Sequence, residues 1–143
     1  MGTDIHFFIE KKMKDSKKWK KVDIPDYLIP DERDYVMFGF LANVRNGSSF
    51  LDGQSFSSPL FPYRGWPSDS CYKEGYDWHS HTYFTWKEIN EIYDKILIST
   101  DPQVKALQDR YFFIFFRYVL DRIFIFPWQI REEDVRILIC FDS

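Results

Sequence analysis

A chain of 143 residues carrying a net charge of -3 and a pI near 5.6 is sized for a single domain spanning 1–143, and it lacks the basic surface that holds long DNA or RNA by its phosphates. Cys71 and Cys140 are the only cysteines, which excludes a disulfide framework or zinc knuckle and suits a reducing cytoplasm. The apolar runs YFFIFF and IFIFPW are interrupted by Arg117, Asp121 and Arg122 before the roughly 20 residues of a spanning helix are reached, and no basic-then-apolar leader opens the chain, so a soluble protein without a membrane partner is expected.

Residues 4–12, DIHFFIEKK, alternate as a strand, with Ile5, Phe7 and Ile9 on one side and Asp4, His6, Phe8 and Glu10 on the other. The lysine-rich stretch KKMKDSKKWKK at 11–21 reads as a solvated hairpin turn leading to a partner strand in KWKKVDI. A proline-bearing covering loop follows. RDYVMFGFLANV then carries Tyr35, Phe38, Leu41 and Ala42 at helical spacing, with Asp31 or Asp34 near its start as a cap.

Residues 43–78 combine glycine, proline and serine with Phe50, Phe56, Phe61, Tyr63, Trp66, Tyr72, Tyr76 and Trp78. Turn-forming residues discourage regular structure, while so many rings argue against disorder. A long, ordered, aromatic-rich loop packed over the sheet is expected. In HSHTYFTWKEINEIYDKIL the period changes midway: His79, His81 and Tyr83 share one side of an extended segment. Thr85 and Glu88 then have capping-box spacing, followed by the stripe Ile89, Ile92, Tyr93, Ile96 and Leu97.

Asp101 and Pro102 open another helical pattern that continues through Val104, Leu107, Tyr111 and Tyr118. Its centre, Phe112–Phe116, is apolar on every side, which predicts a helix buried between layers or in an interface, with a strand as the alternative. DVRILICFD alternates with both faces mostly apolar, as suits a central strand beside the first. The fold class is therefore α+β, a mixed or antiparallel sheet with two or three helices on one face.

Two constellations of polar residues point to chemistry. Asp4 and His6, two apart on a strand, project side by side, and the same spacing is expected to bring His79 and His81 together. Convergence of Asp4, His6, His79 and His81 would make a divalent metal site, for zinc or manganese, that activates water. In such an enzyme His79 and His81 are the catalytic candidates; the competing readings are a packed structural histidine for His6 and helix bracing for the other two. The second constellation is ANVRNG with PYRGWP. Here Arg45 and Arg64 offer bidentate forks to phosphate, Asn46 can read an amide or base edge, and Tyr63, Trp66 and Trp78 can stack on a ring. The competing reading of Arg64 is a loop-pinning salt bridge to Asp69 or Glu74.

The segments MGTDIHFFIE, DYVMFGFLANVRNG, PYRGWPSD and HSHTYFTWKEI resemble a family of small uncharacterised proteins of bacteriophages and bacteria that open with Met-Gly-Cys-Asp-Ile-His. The likeness runs over most of residues 1–90 and, more faintly, over VRILICFD. Thr3 stands where that family has cysteine, which counts against an essential ligand there. The resemblance implies no activity; it implies a phage context, a host-cytoplasm location and a conceivable encounter with bacterial immune signals.

The expected function is non-catalytic binding or sequestration of a small phosphorylated nucleotide-like ligand, for which no cofactor is needed. The alternatives are a metal-dependent phosphoesterase acting on the same class of molecule and a protein-interaction module. Aromatic residues form 20% of the chain, more than a core of this size readily hides, so self-association as a homodimer or higher is also expected.

Overall fold

The computed structural model describes residues 2–30, 32–44, 64–70, 77–124 and 130–142. β1 (Asp4–Lys12) and β4 (Val135–Asp142) form the centre of a four-stranded sheet of order β2-β1-β4-β3, with β2 spanning Trp19–Lys21 and β3 spanning His79–Thr85. Every neighbouring pair is antiparallel. The fold is thus α+β with an antiparallel sheet, and β4 lies beside β1 as its apolar alternation on both faces requires. The β1–β2 hairpin turns through the lysine-rich segment, with Lys17 at φ 59°. β2 is shorter than its sequence suggests, although the Val22 N–H still donates to the Ile9 carbonyl at 2.8 Å.

Helices cover one face of the sheet. α1 (Tyr35–Ala42) is capped by Asp34, whose carboxylate accepts from the Met37 N–H, and ends at Asn43 in the left-handed region. Residues Val36–Ala42 are all buried. A helix apolar on every side must be enclosed, and α1 is: Phe38 packs on Phe141 of β4 and on Phe112, while Phe40 meets Phe113. α2 (Trp86–Leu97) begins with the expected capping box between Thr85 and Glu88 and buries Ile89, Tyr93 and Ile96.

The helical pattern from Asp101 does not run through unbroken. Asp101 caps α3 (Pro102–Lys105), Ala106–Asp109 tighten to a 3₁₀ turn, and Arg110 is extended at ψ 138°. Arg110 reaches Asp34 at 3.3 Å, so the break ties this connection to the start of α1. The chain restarts as α4 (Tyr111–Ile114), widens to a π-helical turn over Phe115–Val119 and resumes as α5 (Leu120–Phe124). The buried Trp86 indole donates to the Phe116 carbonyl at 2.7 Å, within the segment where the backbone ladder is irregular. Phe112, Phe113, Phe115 and Phe116 are buried as their sequence density predicts, whereas Ile114 and Tyr118 remain exposed.

The histidine pair of β3 departs from the expected pattern. Register places His79 opposite Phe141 and Thr82 opposite Ile139, with an irregularity between. Ser80, at φ 56°, is the extra residue of a β-bulge. A period-two reading fails across an inserted residue, so His79 and His81 fall on opposite faces. The His79 ring lies beside Phe141 on the helix side, and His81 meets Trp66 on the other.

Candidate functional site

Because β1 alternates, Ile5, Phe7 and Ile9 go to the helices, and Asp4, His6, Phe8 and Glu10 go to the opposite, outer face. β4 adds Arg136, Leu138, Cys140 and Asp142 to that face, in register with Glu10, Phe8, His6 and Asp4 respectively. Residues 64–70 and Trp78 lie over it. The Gly65 N–H donates to the His81 carbonyl at 2.9 Å, and the Trp66 indole donates to the Ile139 carbonyl at 3.0 Å. Gly65 sits at φ +72°, a conformation that suits glycine. Trp66 presents its edge or face to Phe8, Trp78 and His81 at centroid separations of 5.4, 6.2 and 4.8 Å. Trp78 stacks on His6 at 4.6 Å with an interplanar angle of 26°.

The end of this face near the start of β1 is polar. Asp4 and Asp142 are directly opposed across two strands, a like-charge pairing that repels. Each carboxylate has a cationic or donor neighbour. Arg33 forks onto Asp4 at 2.7 and 3.3 Å, holding that carboxyl below its ordinary range chiefly through the hydrogen bond. His6 bonds Asp142 at 2.6 Å, with side chains 30% and 37% exposed. The stack on Trp78 and the bond to Asp142 fix the imidazole in one plane.

At the other end the charge is buried. Glu10 and Arg136 pair at 2.7 Å with side chains 0% and 5% exposed. Arg136 also donates to Asp69 at 3.1 Å and lies 3.9 Å from the centre of the Trp19 ring. The Ser70 hydroxyl donates to Glu10 at 3.3 Å. The overlying segment is therefore fastened to the sheet through ionic groups that are themselves enclosed.

Arg64 stands on the rim, where both terminal nitrogens donate to Glu88 at 3.0 and 2.7 Å and one also reaches the Tyr83 carbonyl at 3.1 Å. The salt bridge considered for Arg64 thus exists with a different acid from Asp69 or Glu74. It holds the Glu88 carboxyl below its ordinary value of 4.5, with the Arg64 hydrogen bond as the largest cause. A depressed folded-state value stabilises the fold above the unfolded carboxyl range and ceases to do so as pH falls through the folded value. Glu88→Gln keeps the helix cap and removes the charge. It should cost about 1 kcal/mol or less at pH 7, given partial exposure of both partners. Urea unfolding should show the difference from the parent shrinking as pH falls from neutrality through the acid range below the ordinary carboxyl value; a difference that does not change with pH would exclude this role.

Of the residues expected at the site, Asp4, His6, His81, Arg64, Trp66 and Trp78 come to the outer face or its rim, and His79 does not. Arg45, Asn46 and Tyr63 lie outside the described residues. Among the described residues no group of three or more histidine, cysteine, aspartate or glutamate side chains is arranged to hold a metal ion; Asp4 faces Arg33 and the bulge separates the two later histidines. Asp142, Arg33, Glu10 and Arg136 belong to the site without having been singled out from sequence. Comparison with protein-family models, curated proteins and solved structures finds no match.

Proposed function

We propose that the protein binds, without turnover, a small phosphorylated nucleotide-like ligand at the polar end of the outer face, and that in a phage context the captured molecule is a bacterial immune signal. The observation that supports this most is the Trp78–His6 stack beside the Arg33–Asp4 pair. Rings already fixed by neighbours offer a planar platform at little ordering cost, and base–aromatic stacking contributes about 1–3 kcal/mol per base. The Arg33 side chain is 53% exposed and can exchange its carboxylate partner for a phosphate with the same fork geometry. Arg64, held by Glu88, serves as a brace of the wall in this reading.

The test is to incubate the purified chain with a pool of linear and cyclic nucleotides, wash, denature and identify what is released. An intact nucleotide and a raised melting temperature are expected, with Trp78→Ala weakening binding about tenfold or more while retaining the circular dichroism of the parent. Failure of every nucleotide to shift melting or to be recovered would overturn the reading. A second reading, hydrolysis of the same class of molecule, is favoured by one observation: the 2.6 Å contact between His6 and Asp142 orients an imidazole as a general base would be oriented. Recovery of altered nucleotide that is lost in His6→Ala would establish it over simple capture.

A further inference from the structure

A surface formed by the 26–32 segment and the helical segment from Tyr111 shows apolar side chains that the core does not absorb. Tyr27, in the 3₁₀ turn Asp26–Leu28, is 83% exposed, and Tyr118 in the π-helical turn is 56% exposed. The two lie on one continuous strip, because the Tyr111 hydroxyl donates to the Leu28 carbonyl at 2.6 Å and so fastens the 26–28 turn along the helical segment from Tyr111 to Phe124.

The two ends of this strip differ in shape and in sign. At one end Tyr27 projects beside Tyr111 and Glu32, which together border a shallow depression; the nearby Glu32 charge contributes to raising the Tyr111 hydroxyl above its ordinary value, after burial. At the other end Leu28, Tyr118, Val119 and Ile123 line a depression of about 400 Å³ with Arg122 on its border. From Tyr111 to Arg122 the helix advances about 16 Å. One end thus offers a projecting ring and an acid, and the other a hollow and a base.

We infer that this strip is the contact between two copies of the chain, related by a two-fold axis that sets Tyr27 of each copy into the Tyr118–Ile123 hollow of its partner and Glu32 against the partner's Arg122. A two-fold contact must be self-complementary, so that if one group meets a second, the second meets the first. A strip with opposite attributes at its two ends meets that condition when one copy is reversed upon the other. Both complementary ends lie on one face of one chain, so the pairing closes at two copies instead of growing into a filament. The strip is narrower than a permanent subunit interface, which places its dissociation constant in roughly the micromolar range.

Sedimentation velocity across a concentration series tests this, with charge reversal as the specific probe. The parent should pass from monomer to dimer with rising concentration. Arg122→Glu and Glu32→Arg should each weaken the association about tenfold or more by opposing like charges, and the chain carrying both reversals should recover it. A parent that stays monomeric to about 0.5 mM, well above the range such an interface implies, overturns the inference. So does a dimer that either single reversal leaves unchanged, or one that the double reversal fails to restore. Because Glu32 precedes Arg33 of the proposed ligand site, nucleotide capture is scored with Arg122→Glu alone, whose residue lies on α5: loss of dimerisation with capture retained in that chain separates the two.

Discussion

Glu10→Ala is expected to lower the unfolding free energy by about 3–5 kcal/mol, because it leaves the Arg136 guanidinium enclosed without its main counter-charge. For a domain of this length the melting temperature should fall by roughly 10 °C. Asp69 remains as a partner, but its side chain is 64% exposed, so solvent screens what it can supply. The pair as a whole contributes far less than either half costs to remove: Glu10→Leu combined with Arg136→Met should recover most of the loss. Thermal and urea unfolding of the parent, Glu10→Leu, Arg136→Met and the double variant, with Glu10→Ala beside them, decide the matter, and a cost of Glu10→Ala under about 1 kcal/mol would refute it. Since Ser70 also bonds Glu10, the single variant should additionally loosen the overlying segment.

The second large effect is expected at Phe116. Its ring is 1% exposed and lies 5.4 to 6.5 Å, centroid to centroid, from Phe84, Phe7, Phe115, Phe113 and Phe112. Truncation removes contacts with the sheet and within the helical segment at once. Phe116→Ala should cost about 3–5 kcal/mol, as aromatic truncations in closed cores do. Tyr118→Ala, two positions along on the exposed side, should change monomer stability by less than about 1 kcal/mol. Chemical denaturation at low protein concentration separates the two; comparable losses would mean that the helical segment does not bury Phe116 as described.

These two residues also illustrate what the sequence could reveal. The alternation of β1 and β4 was legible, because a strand with apolar residues on both faces has to lie inside a sheet. The α2 cap was legible because its partners are three residues apart. The density of Phe112–Phe116 announced burial but not the interruption at Arg110, which depends on an ion pair to Asp34 from a distant part of the chain. The metal constellation rested on an uninterrupted strand, and a left-handed serine between the histidines sets them on opposite faces. Asp142 and Arg33 escaped notice for a related reason. Arg33 is flanked by Glu32 and Asp34, yet its partner is the distant Asp4, and Asp142 acquires one only when β4 is laid against β1 in a particular register. Arg136 and Asp142 are the charged positions on an otherwise mostly apolar strand, and the meaning of Arg136 lies in Glu10, directly across the ladder.

The rim arginine has a consequence apart from any ligand. β3 ends the strand order of the described sheet, and an outermost strand offers unpaired carbonyls to any passing backbone. The carbonyls of His81 and Tyr83, two positions apart, are taken by the Gly65 N–H and by Arg64. Those two residues act as a hem along the open border, and the misplaced Ser80 keeps the remainder from lying flat. Stripping that hem would invite strand-to-strand stacking between molecules and eventual precipitation, so poor solubility of an Arg64 variant would report on the border it guards and not on a lost phosphate contact.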